Sequence, residues 1–271
     1  MTAIVNWNIQ CGRGCDGAVD LARIARVVGT MGEADVICMQ EVARNDPEIA
    51  GGADQASELG ALFPGYRVIF GPGLDRPPRQ FGNLLLSRLP VLQVFQHLLP
   101  QPAQGGIKHM QRQAIEAVLA TRGGPLRVVT THLEYYSARH RAAQLERLRA
   151  LQEEVAANEA NPPKAAASPY DPTPRPASLV LCGDFNLMPG DAEYGALFRS
   201  PFVDAWRAAR PGEPHPPTTG VFDRAQWPMG GHCRDYFALT PDLCPRVMSF
   251  EVDPVTDASD HQPLRLELRD E

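Results

Sequence analysis

Short apolar segments recur along almost the entire chain, and most of them are bounded by Gly, Pro, Asn or Asp. Apolar segments of this kind, flanked by turn-forming residues, are typical of buried strands. The pattern predicts strands over residues 4–9, 35–39, 66–70, 83–86, 91–98, 114–120, 126–131 and 178–182, around Tyr236, and over residues 247–252 and 264–268. The fold is therefore expected to be organised around β-sheet.

Between some of these strands the apolar residues follow helical spacing instead. Leu21, Ile24 and Val28 recur every three or four residues, and so do Leu145 and Leu148. The spacing predicts helices over residues 18–31, 54–63 and 137–157 and near 192–198. Strands that follow each other without a helix are expected to pair antiparallel. We therefore predict an α+β sandwich, with two mixed, mainly antiparallel sheets packed together and helices outside.

Two proline-rich segments interrupt this pattern. The chain contains 26 prolines, and residues 161–176 and 211–228 hold clusters of them. Segments so rich in proline are expected to be surface loops rather than folded elements. Neither an internal repeat nor a clear boundary is visible, so we predict one domain over residues 1–271 with both loops inside it.

The charge of the chain restricts its partners. The formal net charge is −6, and only two of the 26 positive side chains are lysines. Proteins that coat nucleic acid normally rely on an excess of positive charge. Any phosphate recognition is therefore expected to be local, through a few arginines.

The N-terminal region argues against a secreted or membrane protein. Asn6, Asn8 and Gln10 interrupt the apolar residues near the N-terminus, and no basic residues precede them. We expect a cytoplasmic protein without a transmembrane segment or an obligate protein partner. The cysteines are then expected to be free thiols. A zinc-stabilised regulatory module is the weaker alternative, because Cys11 and Cys15 do not form a paired Cys-x-x-Cys pattern.

Polar and acidic residues recur where the predicted strands end. Rigid scaffolds often present catalytic groups at such positions. Taken singly, each residue has an ordinary explanation, since Asp or Asn beside Gly is common in turns. The set becomes informative only as a whole, and its members are Asn8, Glu41, His132, Asp184, Asn186, Asp235, Asp260 and His261.

Seven short motifs containing these residues follow one another in a fixed order. They are Asn6-Trp-Asn8-Ile, Met39-Gln-Glu41, Gly82-Asn83-Leu-Leu-Leu-Ser87-Arg88-Leu-Pro90, Thr131-His132-Leu133, Gly183-Asp184-Phe185-Asn186, Asp235-Tyr236-Phe237 and Ser259-Asp260-His261-Gln-Pro263. In this order they resemble the endonuclease/exonuclease/phosphatase superfamily, the deoxyribonuclease I-like metal-dependent phosphoesterases. The resemblance covers nearly the whole chain. It implies a four-layer sandwich of two sheets flanked by helices, with the active site at one edge.

A divalent cation is the cofactor that these residues suit. Glu41 is a hard oxygen ligand appropriate for Mg²⁺ or Mn²⁺. The resemblance implies that Glu41 binds the metal, that Asn8 lies beside both metal and substrate, and that Asp260 has a metal-related role.

The remaining motif residues suit the hydrolytic step. Asp184 and Asn186 are two positions apart, so on an extended segment they would face the same side. The resemblance implies that Asp184 orients or deprotonates the attacking water and that Asn186 holds a phosphate oxygen. His261 can exchange protons near neutral pH, and Asp235 is our candidate for fixing its tautomer, in agreement with the resemblance. His132 could donate to the phosphate or to the leaving group.

Substrate contacts are less well defined by the sequence. The resemblance places Asn83 beside the active site, and Arg141 is one of four arginines close to the motifs in sequence, with Arg112, Arg139 and Arg234. Arginine suits bidentate phosphate contacts, although a solvated surface position remains the alternative for each of them.

The predicted function is that of a divalent-metal-dependent phosphoesterase acting on a phosphodiester or phosphomonoester. The subtype can be a nuclease, either endonuclease or exonuclease, a phosphatase or a lipid phosphodiesterase. A small or locally held substrate is favoured over long nucleic acid. The alternative is a non-catalytic protein of the same fold that binds a phosphorylated ligand or a protein.

Overall fold

The computed structural model describes residues 1–270, and twelve strands form its centre. The strands are β1 (Thr2–Asn8), β2 (Val36–Arg44), β3 (Arg67–Arg76), β4 (Arg79–Ser87), β5 (Val91–Leu98), β6 (Gln113–Thr121), β7 (Gly124–His132), β8 (Leu179–Asp184), β9 (Val203–Asp204), β10 (Asp235–Leu239), β11 (Val247–Val252) and β12 (Leu264–Leu268). The α-helices are α1 (Leu21–Thr30), α2 (Gln55–Leu62), α3 (Ala138–Ala160), α4 (Ala192–Leu197) and α5 (Ala205–Ala209). Short 3-10 helices lie at Gln10–Gly12, Ala50–Gly52 and Pro241–Arg246.

The strands form two six-stranded sheets. The order in the first sheet is β11-β12-β1-β2-β4-β3, and in the second it is β5-β6-β7-β8-β10-β9. Each sheet has one parallel pair, β1 with β2 and β7 with β8, and the other neighbours are antiparallel. Helices α1 and α3 supply the crossovers that parallel strands need. The predicted architecture of two mixed, mainly antiparallel sheets with flanking helices is confirmed.

Alternate residues of the first sheet pack in opposite directions. Ile4 and Val36 belong to the apolar core between the two sheets, whereas Val5 and Ile37 pack with the residues of α1 and α2. All four side chains are almost completely buried. Burial on both faces explains why these strands are continuous apolar segments rather than an alternation of apolar and polar residues.

The second sheet is covered in the same way. Val180 and Cys182 of β8 face the core between the sheets, while Leu179 and Leu181 pack in an outer apolar cluster with Leu145 of α3. The order of layers is therefore helix, sheet, sheet, helix, which is the predicted four-layer arrangement.

Strand pairing brings the polar strand ends to one edge. In the first sheet Asn8 pairs with Gln40, which directly precedes Glu41. In the second sheet His132 pairs with Asp184, and Asp184 pairs on its other side with Asp235. Parallel strands end on the same side of a sheet, and β10 begins where β8 ends, so both sheets deliver functional groups to a common edge.

Most predicted elements are present, and their boundaries differ mainly at the ends. Residues 91–98, 247–252 and 264–268 are strands over the predicted ranges. The strand predicted at 35–39 instead continues to Arg44, through an irregularity at Gln40 and Glu41. Helix α5 and strand β9 were not predicted, because elements of five and two residues are too short to show a period.

The first proline-rich segment lies on the surface. Residues 161–174 are exposed, and the segment is anchored where Arg175 donates to the buried carboxylate of Glu116 and packs over the ring of Phe95. Arg127 and His97 also contact this carboxylate, at 2.9 Å each.

Among residues 1–270, no helix has both the length and the apolar character needed to cross a membrane.

The charge cluster around Glu116 leads to a prediction about stability. Burial by itself would raise the pKa of Glu116, but hydrogen bonds from Arg175, His97 and Arg127 outweigh burial and hold this pKa well below its usual range. Glu116→Gln leaves buried Arg127 without its counter-charge. We expect it to lower the free energy of unfolding by about 3–5 kcal/mol at pH 7.

The pH dependence of that loss has a defined sign. Because the pKa of Glu116 is lower in the folded state, its stabilisation is complete above the unfolded-state value of about 4.3 and declines as the pH falls below it. Urea unfolding should therefore show a smaller difference between wild type and Glu116→Gln at pH 3.5 than at pH 7. Exposed Glu153 on α3 provides the control, and Glu153→Gln should change stability by less than about 0.5 kcal/mol. If Glu116→Gln destabilises the protein equally at pH 3.5 and pH 7, the lowered pKa assigned to Glu116 is contradicted.

Candidate active site

A cavity of about 430 Å³ lies at the edge where the functional strand ends meet. Six of the residues predicted from the sequence line it, namely Glu41, His132, Asp184, Asn186, Asp260 and His261. Five further residues, Arg112, Tyr135, Tyr136, Gln226 and Trp227, complete its wall. A cavity of this volume is in the range of small-molecule sites.

Glu41 owes its orientation to a β-bulge. The register between β2 and β4 shifts between Met39 and Val42, and Glu41 adopts a left-handed backbone conformation with φ of 57°. Bulges re-aim side chains, and non-glycine residues with positive φ are uncommon away from functional sites. Glu41 was expected at the end of a strand. The structure places it inside β2, where the bulge turns its carboxylate into the cavity.

Asn8 lies between two acidic groups. Its Nδ2 donates to Glu41 Oε1 at 3.1 Å and to Asp184 Oδ2 at 3.0 Å, while its Oδ1 accepts from the backbone N–H of Gln10 at 3.1 Å. The backbone donor identifies which amide atom is oxygen. Asn8 therefore presents hydrogen-bond donors to the carboxylates, and its oxygen is occupied by the backbone of Gln10, an arrangement that differs from the predicted ligand role.

Asp184 and Asn186 line the same cavity for a reason other than strand alternation. Asn186 has a φ of 52°, and its backbone N–H donates to Asp184 Oδ1 at 2.9 Å. A tight turn after β8, and not an extended segment, brings the two side chains together. Asn186 Nδ2 donates to Leu133 O at 3.0 Å and to His132 Nε2 at 2.9 Å. A phosphate oxygen would have to displace one of these acceptors.

His261 and Asp235 form the expected pair. His261 Nδ1 lies 2.9 Å from Asp235 Oδ2, and the same carboxylate oxygen accepts from Thr218 Oγ1 at 2.6 Å. Thr219 Oγ1 lies 3.1 Å from the same ring nitrogen. The contact to Asp235 leaves His261 Nε2 on the cavity side, 3.7 Å from Asp184 Oδ2.

Carboxylates determine the charge state of His261. Burial alone would lower the pKa of this imidazole, but the negative charges of Asp235, Asp260 and Asp184 outweigh burial and raise the pKa well above its usual range. One atom each of Asp184, Asp235 and His261 lie within 4.8 Å of one another. This arrangement can hold a proton on His261 between the carboxylates of Asp235 and Asp184. The same three groups are also close enough together to be metal ligands.

His132 has the opposite character. Burial, reinforced by the positive charge of Arg112, lowers its pKa to about 3. Because Asn186 Nδ2 donates to Nε2, the ring proton is on Nδ1. His132 is thus a neutral ring whose acceptor nitrogen is occupied by Asn186, and its predicted role as a donor to the phosphate does not match this tautomer.

Glu41 and Asp260 form an acidic pair without a cationic side chain. In the part of the chain that the structure describes, neither carboxylate makes an ion pair with Arg, Lys or His. Burial, together with the charge of Asp260, raises the pKa of Glu41. Two carboxylates that line one cavity and make no direct ion pair with a cationic side chain are a donor set that suits a hard divalent cation.

Two predicted substrate contacts lie outside the cavity. Arg141 donates to the carbonyl oxygens of Glu134 and Tyr135 at 3.1 and 2.9 Å, so it supports the segment that carries the cavity tyrosines. Asn83 is buried behind His132 and donates weakly to Gln113 O at 3.4 Å. Both were expected to contact substrate, and the structure gives them supporting positions.

Arg112 and Arg234 are the arginines that reach the site. Arg112 lines the cavity directly. Arg234 lies 5.3 Å from the ring centroid of Tyr135 and 5.0 Å from that of Trp227, and its Nη1 is 3.4 Å from Asn186 Oδ1. These positive groups stand beside the carboxylates, as phosphate recognition requires.

The sequence interpretation missed the contribution of the second proline-rich segment. Thr218 and Thr219 are buried against Asp235 and His261, and Trp227 is buried against Asp260. Residues 211–228 thus contain a wall of the site. A tryptophan in an otherwise polar, proline-rich segment was the available signal, since large aromatic side chains are usually buried.

Comparisons with known proteins agree with this geometry. A sequence model of the Endonuclease/Exonuclease/phosphatase family matches residues 5–261. Curated proteins yield no match to the chain. Among solved structures, the endonuclease/exonuclease/phosphatase from Beutenbergia cavernae is 25% identical, with a TM-score of 0.71, and the match covers 99% of this chain and 71% of that one.

Two further structures are similar over their full lengths. A mannosyl-6-phosphatase from Bacteroides thetaiotaomicron is 16% identical, with a TM-score of 0.73, and the match covers 99% of this chain and 100% of the other. A 3′ phosphatase from Neisseria, bound to a product DNA hairpin, is 17% identical, with a TM-score of 0.65 and the same coverage of 99% and 100%. At these identities the likeness is one of fold.

The protonation of His132 can be observed directly. With a pKa of about 3, the ring should remain neutral and protonated at Nδ1 from pH 5 to pH 8. Nitrogen-15 NMR of histidine-labelled protein distinguishes the two neutral tautomers and the imidazolium, and His132→Gln assigns the signal. An imidazolium signature for His132 at pH 6 would show that the burial argument is wrong.

Proposed function

The chain belongs to the endonuclease/exonuclease/phosphatase family, and on that basis we propose that it hydrolyses a phosphoester with the help of a divalent cation bound at Glu41 and Asp260. As a family member it is a phosphoric ester hydrolase. The observation that carries the metal-dependent proposal is the acidic pair that lines the cavity, in which the charge of Asp260 helps to raise the pKa of Glu41.

The cation would be Mg²⁺ or Mn²⁺, because the donors are carboxylate oxygens and these ions favour such ligands. Glu41 and Asp260 would hold the ion. Asn8 would orient Glu41 through its 3.1 Å hydrogen bond. When bound, the ion supplies charge neutralisation for a phosphate oxygen.

Asp184 is the proposed residue for handling the attacking water. Its Oδ2 is buried, faces the cavity, and is held by Asn8 at 3.0 Å. Its Oδ1 accepts from the backbone of Asn186, which fixes the plane of the carboxylate. A carboxylate fixed in this way can accept a proton from water in one orientation, and positioned acid–base groups contribute about 10²–10⁴-fold to rate.

His261 is the proposed donor to the phosphate. With Nδ1 toward Asp235, its Nε2–H points to the side of the cavity where Asp184 lies. A buried N–H donor aimed at developing negative charge stabilises a transition state without reorganisation. We assign Asp235 the role of holding the ring, and Asn186 and His132 the role of supporting the turn after β8.

A small substrate, or a nucleotide held at its phosphate, fits the cavity better than long nucleic acid. The cavity measures about 430 Å³, and Arg112 is the single arginine in its described lining. The net charge of −6 disfavours a broad electrostatic contact with a polyanion. The partner proposed for this site is therefore a phosphate ester recognised locally.

The proton-transfer proposal predicts the effect of Asp184→Asn. Asparagine has nearly the same volume and can still accept from the Asn186 backbone, but it cannot take a proton. We expect kcat to fall by about 10²–10⁴-fold with little change in the thermal unfolding temperature. His261→Ala should also lower kcat strongly. Asp171→Asn, a change of the same type in the exposed proline-rich loop, should leave kcat unchanged. Full activity in well-folded Asp184→Asn would refute this role.

The metal proposal predicts that a chelator abolishes hydrolysis and that Mg²⁺ or Mn²⁺ restores it. The assay should compare single- and double-stranded DNA, RNA, a phosphomonoester, a small phosphodiester and phospholipid headgroups, with Asp184→Asn as the blank. We expect the highest kcat/KM for a small ester. Undiminished turnover in the chelator would overturn the metal requirement, and binding without turnover of any substrate would favour a non-catalytic role.

A further inference from the structure

Asp260 is held by the second proline-rich segment. Its Oδ2 accepts two hydrogen bonds, from Trp227 Nε1 and from Gln226 Nε2, each at 2.9 Å. Asp260 is only 3% exposed. Two N–H donors on one oxygen restrain the rotation of the carboxylate, while Oδ1 has only a long contact from Ser259 Oγ, at 3.4 Å, and can accept another partner. Neighbouring residues of a single loop therefore set the orientation of an acidic group in the cavity.

The indole of Trp227 is itself fixed. The guanidinium carbon of Arg234 lies 5.0 Å from the indole ring, and the centroid of the His232 ring lies 5.1 Å from it. The edge-on ring of Tyr135 is 6.1 Å away. Contacts with these three groups hold the indole in the orientation in which its N–H donates to Asp260.

Gln226 extends this support toward Glu41. Its Oε1 accepts from Gln10 Nε2 at 2.9 Å, and the backbone N–H of Gln10 donates to Asn8 Oδ1. Asn8 in turn donates to Glu41. Hydrogen bonds on either side of Gln10, one to its side chain and one to its backbone, thus connect the two carboxylates of the acidic pair. Such a chain holds two ligands at a set separation.

We propose that Trp227 and Gln226 are positioning residues of the divalent-cation site, which makes the second proline-rich segment part of that site. The inference rests on the proposed function, because it takes Glu41 and Asp260 as the ligands. Hydrogen-bond partners of metal ligands typically affect metal affinity by about 10–100-fold when removed. Trp227 contributes more than Gln226, because its bond to Asp260 is buried whereas Gln226 is exposed.

The test measures metal binding in the absence of substrate. Mn²⁺ is titrated into chelator-treated full-length protein, and free Mn²⁺ is quantified by electron paramagnetic resonance. Trp227→Phe keeps an aromatic ring but removes the N–H, and it should raise the Kd for Mn²⁺ by about 10–100-fold. Gln226→Met should raise it less. Trp206→Phe is the matched control, since the Trp206 indole donates to Glu213 O, away from the cavity, and its Kd should equal that of wild type.

Tryptophan fluorescence reports whether the cation binds beside the carboxylate that Trp227 contacts. Mg²⁺ should change the tryptophan fluorescence of wild type and of Trp206→Phe. The Trp227 N–H contacts the Asp260 carboxylate, so binding of the cation to that carboxylate changes the electrostatic environment of the indole. That change should be absent in Trp227→Phe.

Gln226→Met provides a second variant. Because Gln226 is exposed, Gln226→Met is expected to fold, and it remains informative if Trp227→Phe does not fold.

Asp260→Asn distinguishes this inference from the proposed function. If Asp260→Asn weakens Mn²⁺ binding while folded Trp227→Phe and Gln226→Met bind as wild type does, the positioning inference is wrong and the metal site stands. If Asp260→Asn also binds normally, Asp260 is not a ligand, and the proposed metal site fails with the inference.

Discussion

The parallel pairings of β1 with β2 and of β7 with β8 are the constraint on which the rest of the site depends. Each pairing requires a helical crossover, and each leaves two strands ending at the same edge. Because the two sheets pack face to face through an apolar core, the two edges come together. Polar groups that are far apart in sequence, such as Asn8 and Asp184, are then within hydrogen-bond distance at 3.0 Å.

The acidic groups at that edge account for part of the net negative charge of the chain. A charge of −6 would disfavour a phosphate-binding protein if it were spread evenly over the surface. Here part of the negative charge lies where a cation would bind, and a bound divalent ion reverses the local sign. The same carboxylates raise the pKa of His261, while His132, beside Arg112, has a lowered pKa. Two buried histidines on one cavity wall therefore differ because carboxylates outweigh burial at His261, whereas at His132 burial outweighs the charge of Asp184 and Arg112 adds to the effect of burial.

The two proline-rich segments show that composition does not determine burial. Residues 161–174 are exposed and are held at one end by Arg175. In the second segment, Thr218 and Trp227 are buried against the acidic groups of the site. Proline restricts the backbone in both, since it fixes φ and removes a donor. Only the second segment also carries side chains that hydrogen-bond to the cavity wall.

The sequence by itself determined the fold class, most of the strands and the residues around which the site forms. Apolar segments bounded by turn-forming residues, helical spacing and the order of the motifs depend on local chemistry, so they are visible without coordinates. The tertiary structure alone decided the orientation of these residues. Glu41 points into the cavity because of a bulge, Arg141 supports a loop because it donates to two loop carbonyls and to the Glu193 carboxylate, and Trp227 contacts Asp260 from a distant segment. Such contacts depend on register and on loop packing, and no local pattern encodes them.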